Sequence, residues 1–89
     1  MKRRDLYPKL VRLFALLEPV LTPAQLDDVE GYFGQSEWDL SIDLAVRLVA
    51  ERGAPISAEL HDLLVELLAA SDWASAHDDD LAVLARLRT

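Results

Sequence analysis

Few side chains in this 89-residue chain could do chemistry, and the first to weigh are His61-Asp62 and His77 followed by Asp78, Asp79 and Asp80. The first has the donor types of a metal pair, the second those of a hard-metal cluster. Neither has the spacing. Adjacent helical positions point about 100° apart, and no third or fourth ligand stands at a useful interval from His61. The aspartate run lacks the glycine and terminal glutamate of a calcium loop, so it reads as a helix start. Ser36, Ser57 and Ser71 stand where helices would begin and read as caps. With no cysteine there is no thiolate zinc site, disulfide framework or cysteine nucleophile. No phosphate-cradling glycine loop, nucleophile elbow or paired-carboxylate motif is present. The expectation is a protein that is not an enzyme and carries no cofactor or metal.

Charge offers a different chemistry. Sixteen acids against nine bases give a net charge of −7, distributed unevenly. Residues 1–12 hold five bases and one acid, +4, whereas residues 13–89 hold fifteen acids and four bases, −11. A chain of this sign repels phosphates and gains nothing from counterion release, which excludes nucleic acid as the expected ligand. The acids gather in three places: Asp27, Asp28 and Glu30; Glu37, Asp39 and Asp43; and Asp78 to Asp80. The first two groups flank one short turn, Gly34 to Ser36, so their carboxylates are expected on a single surface with Tyr32 among them. Trp38 is divided between that surface and the core. Such a field with an aromatic anchor suits fast capture of a basic protein.

The elements that must position these groups are helices. Apolar residues recur at i, i+3 and i+4 almost throughout, with no useful β alternation. A first helix is expected over about Asp5 to Val20, with Leu6, Leu10, Leu13, Phe14 and Leu17 on its buried stripe and Pro8 in its first turn. Thr22-Pro23-Ala24-Gln25 is a capping box, opening a short helix that Gly31 and Gly34 limit and that buries Leu26, Val29 and Phe33. Ser36 caps the next, with two carboxylates in its first turn. That third helix has two apolar stripes, Trp38-Ile42-Ala45-Val46-Val49 and Leu40-Leu44-Leu48, and so is expected at the centre. Gly53 and Pro55 end it. Ser57 caps a fourth, with Leu60, Leu63, Leu64, Leu67 and Leu68 inward and Glu59, Asp62 and Glu66 outward, and Trp73 just past its end. A last helix after Asp78 docks Leu81, Leu84, Ala85 and Leu87 and carries Arg86 and Arg88 at its end. The expected fold is an all-α compact bundle of four to five short helices. It forms one domain over 1–89, with a core over about 5–70 and a C-terminal extension over about 71–89. Apolar runs are far short of the ~20 residues of a membrane span, and no signal peptide is evident, so a cytoplasmic protein is expected. The second and third helices outline a helix-turn-helix, but Glu37, Asp39 and Asp43 would repel a DNA groove.

Leu21-Thr22-Pro23-Ala24-Gln25-Leu26-Asp27-Asp28-Val29, then Tyr32-Phe33, then Glu37-Trp38-Asp39-Leu40-Ser41-Ile42-Asp43-Leu44, then Gly53-Ala54-Pro55-Ile56-Ser57, resembles the MafI family of immunity proteins over roughly residues 10–70. Trp38 and Ser41 stand where that family often has tyrosine and alanine. The resemblance implies a small acidic helical protein that binds a cognate secreted bacterial toxin, frequently a nuclease, in the cytoplasm. The leading expectation is accordingly an immunity protein neutralising a basic toxin domain through Asp27, Asp28, Glu30, Tyr32, Glu37, Asp39 and Asp43. The alternative is a regulatory or adaptor bundle that binds a partner helix or forms a homodimer through a leucine seam.

Overall fold

The Thr22 hydroxyl accepts a hydrogen bond from the Gln25 amide (3.2 Å), and the Gln25 side chain accepts one from the Thr22 amide (3.0 Å). The capping box forms, with Pro23 in the first helical position. It opens the second of five α-helices among the described residues, 3–71 and 78–89 of this computed structural model, with residues 3–5 described by backbone alone. They are α1 Arg3–Leu17, α2 Pro23–Gly34, α3 Trp38–Arg52, α4 Ala58–Ala69 and α5 Asp78–Leu87, an all-α bundle. None is long and apolar enough to cross a membrane. Trp73 and His77 lie outside the described residues.

Helix α3 lies against α2, α4 and α5, while α1 crosses α4 and α2. One core joins them: Leu10, Leu13 and Leu17 from α1, Val29 from α2, Ile42, Ala45, Val46 and Val49 from α3, Leu60, Leu64, Leu67 and Leu68 from α4, and Leu84 from α5. Ser57 caps α4 by accepting from the Leu60 amide (3.1 Å), and Gly53 ends α3 in the left-handed region (φ 68°), where a side chain would be strained. Beyond α5 the chain is pinned to the α3–α4 connection. The Ile56 amide donates to Leu87 (2.9 Å), and the Thr89 amide and hydroxyl both donate to the Ile56 carbonyl (2.9 Å each).

Several boundaries differ from expectation for local reasons. Helix α1 stops at Leu17 rather than Val20, because Pro19 has no amide to continue the ladder. It starts at Arg3, which moves Pro8 into the second turn. The carbonyl that Pro8 crowds is that of Arg4, in the first turn of the helix. The second stripe of α3 is only half-covered: Leu40, Leu44 and Leu48 are neither buried nor fully exposed, and Leu44 and Leu48 pack at the core's margin. Leu63 is half-buried, Ala85 faces solvent, and Ser71 lies just past the end of α4, where the residues it would cap lie outside the described ones.

The expected cap at Ser36 is not formed. Glu37 is the residue before α3, without a side-chain cap bond, and Asp39 is the acid of the first turn. Ser36 instead closes the preceding helix. Its amide donates to Phe33 (3.0 Å) and the Glu37 amide to Tyr32 (2.8 Å), the paired bonds of a Schellman motif. That motif needs a left-handed residue, and Ser36 takes φ 62° where glycine is usual. Ser36→Gly is therefore expected to stabilise the fold by about 0.5–1 kcal/mol. A melting temperature raised by roughly 4 °C would show it, whereas an unchanged or lowered one would mean that Ser36 is not strained.

Candidate functional site

From Thr22 to Asp43 there are six acids and no lysine or arginine. Helix α2 carries Asp27, Asp28 and Glu30, the connection Glu37, and the first two turns of α3 Asp39 and Asp43, and a buried bond in which the Ser41 hydroxyl donates to the Val29 carbonyl (2.8 Å) holds the two helices together. Ser41 is the single buried polar residue among those described, and it ties α3 to the middle of α2. Beside this contact runs an open groove of about 510 Å³ lined by Asp27, Asp28, Gly31, Tyr32, Gln35 and Leu44. Gly31, with no side chain, keeps the groove floor low, Leu44 supplies an apolar wall, and Tyr32 is 38% exposed.

The structure thus brings Asp27, Asp28 and Tyr32 together and leaves the other expected site residues outside the groove. Glu30 lies about 200° round the helix from Asp28 and is exposed. Glu37 is exposed on the connection, and Asp39 is half-buried in the first turn of α3. Asp43 has 15% of its side chain accessible and pairs with Arg47 at 3.2 Å. Among the described residues no cation pairs with Asp27, Asp28, Glu30 or Glu37. Trp38 belongs to a ring array rather than to the groove: Phe33 packs on Trp38 (5.3 Å), on Phe14 edge-on (5.2 Å) and on Tyr7 (5.6 Å). The stack braces α1, α2 and the start of α3 against one another.

The acids of α4 are used differently. Arg12 meets Glu59 through two parallel hydrogen bonds of 2.7 and 2.8 Å, Lys9 pairs with Glu66, and Arg88 reaches both oxygens of Asp62 at 3.2 and 3.3 Å. Two of the five bases of residues 1–12, Lys9 and Arg12, are therefore drawn onto α4, and the α4 acids are matched by cations of α1 and the chain end. Lys9 and Arg12 share a helical face, as do Glu59, Asp62 and Glu66, so the complementarity was readable from spacing. The Arg12 hydrogen bonds lower the Glu59 pKa, and those from Arg88 and then His61 lower that of Asp62. Carboxylates held below their unfolded values contribute stability that is present above the ordinary carboxylate range and lost as pH falls through the folded values. Acid titration of the melting temperature is expected to fall below about pH 4, and Glu59→Gln with Asp62→Asn to flatten that fall. An unaltered acid limb would show that these pairs do not couple to folding.

His61 Nδ1 lies 2.8 Å from Asp62 Oδ1, so the rotatable side chains close the gap that the helical turn opens. Among the described residues no three His, Asp or Glu side chains converge as metal ligands. Comparison with known families, with characterised proteins and with solved structures yields no match for this chain.

Proposed function

We propose that this chain is an immunity protein that binds and neutralises a basic toxin domain in the cytoplasm, through the acidic surface of α2 and the α2–α3 connection. The observation that carries the reading is the division of labour among its acids. Those of α4 are matched within the molecule, whereas Asp27, Asp28, Glu30 and Glu37 stand without a cation among the described residues. Exposed like charges on neighbouring turns weaken a fold slightly and are well suited to capturing an opposite charge. Tyr32 beside Asp28 offers a ring for a guanidinium or an aliphatic stem. In this reading the carboxylates engage the lysines and arginines with which a nuclease would hold its substrate's phosphates.

The test is direct binding to the toxin domain encoded next to this chain's reading frame, with toxin activity followed in the same titration. Stoichiometric, nanomolar binding with loss of activity supports the proposal. Absence of binding at micromolar concentration overturns it.

A further inference from the structure

Apart from proline, glycine is the least favourable residue inside a helix, and Gly31 stands inside α2. The usual reasons for a glycine are missing there. Its backbone is not in the left-handed region, and a side chain would meet no atom within 4 Å of its Cβ. What the bare position does is open the groove between α2 and α3, whose floor it forms. Asp27 lies one turn before Gly31, and Asp28, Tyr32 and Gln35 form the adjoining row along α2, with Leu44 of α3 as the facing wall.

The chemistry along this groove is that of an arginine cradle. Its two carboxylates have no cation among the described residues, the Tyr32 ring is 38% exposed, and Leu44 is an apolar, half-buried side chain. Arginine brings a planar fork of donors for carboxylates, a flat face that stacks on an aromatic ring and an apolar stem, whereas lysine brings a compact point charge. At about 510 Å³ the space falls within the roughly 300–1,000 Å³ of clefts that hold small ligands, enough for an arginine side chain and the backbone that carries it.

We infer, resting on the functional reading above, that this groove holds one arginine of the basic partner, its guanidinium at Asp27 and Asp28, its flat face on Tyr32 and its stem across Gly31 against Leu44. Charge complementarity selects that occupant. From Thr22 to Asp43 there are six acids and no lysine or arginine, and a second copy of this chain brings another −7. Lys9, Arg12, Arg47 and Arg88 of the chain itself are already paired.

The first experiment maps amide chemical shifts during titration with acetyl-Gly-Arg-Gly-amide and, separately, with acetyl-Gly-Lys-Gly-amide. Shifts centred on Asp27, Gly31, Tyr32 and Leu44 are expected, with the lysine peptide binding about fivefold more weakly. Gly31→Leu fills the floor and is expected to abolish the arginine shifts, with the melting temperature unchanged or raised. Tyr32→Leu is expected to weaken binding about fivefold and Tyr32→Phe to leave it unchanged, a comparison that decides the matter should Gly31→Leu not fold. Equal binding of the two peptides, shifts spread over all the acids, no shifts, or binding that survives Gly31→Leu would overturn the inference. So would shifts in the groove that appear with protein concentration alone, which would identify a second copy as the occupant. The second experiment uses the neighbouring toxin domain. If it binds and Gly31→Leu leaves its affinity unchanged, the inference falls and the functional reading stands. If the arginine peptide maps to the groove and the toxin domain does not bind, the functional reading falls and the groove stands.

Discussion

Leu84→Ala is expected to cost about 2–5 kcal/mol and to lower the melting temperature by more than about 10 °C. Leu84 is fully buried and is the one α5 residue in the shared core. Truncating it leaves a cavity between α5 and the α3 and α4 helices that it packs against, and the refilling of such a cavity is only partial. The backbone bonds from Leu87 and Thr89 to Ile56 and the Arg88–Asp62 pair add a second attachment, so α5 is tied at both its middle and its end. Unfolding followed by circular dichroism is expected to remain a single transition, shifted as a whole. Ala85→Ser, one position on and facing solvent, is expected to stay within about 0.5 kcal/mol of the parent. Should Leu84→Ala leave the main transition in place and lose only a small early phase, α5 would be an appendage rather than part of the cooperative unit.

The legibility of this fold depends on how locally each feature is determined. The capping box at Thr22, the cap at Ser57 and the glycine end at Gly53 are each specified by two to four consecutive residues, and all three form. The cap at Ser36 does not. Serine is a good cap and an uncommon left-handed residue, and here the Phe33 and Tyr32 carbonyls at the end of α2 take the Ser36 and Glu37 amides. Likewise the two stripes of α3 are visible in the sequence, but which one is covered is decided by the angles at which α2, α4 and α5 cross it. Ser41 reads as a polar break in an apolar helix. It takes its meaning only when the Val29 carbonyl arrives 2.8 Å away.

The same distinction applies to the candidate site. Clustering of acids around one turn is a property of the chain and is plain in its order. Which of them share a groove is a property of helix phase, so Asp27, Asp28 and Tyr32 meet while Glu30 faces elsewhere.

If the proposed function holds, reversal of Asp27 and Asp28 to lysine is expected to slow association with the basic partner by about tenfold or more at low salt. The double variant moves the net charge from −7 to −3, and it does so in the groove that Asp27 and Asp28 line. Both side chains are exposed and make no ion pair among the described residues, so the change should leave the fold intact. The effect belongs to long-range attraction, and salt decides whether that assignment holds. At 1 M salt the screening length is about 3 Å, and there the association rates of parent and variant should converge. Glu51→Lys is the control for net charge alone, since it lies about 18 Å along α3 from Asp39 and should slow association much less. Equal slowing by Glu51→Lys and by Asp28→Lys would mean that overall charge, not this surface, guides the encounter. Unchanged association by the double variant would move the interface away from α2.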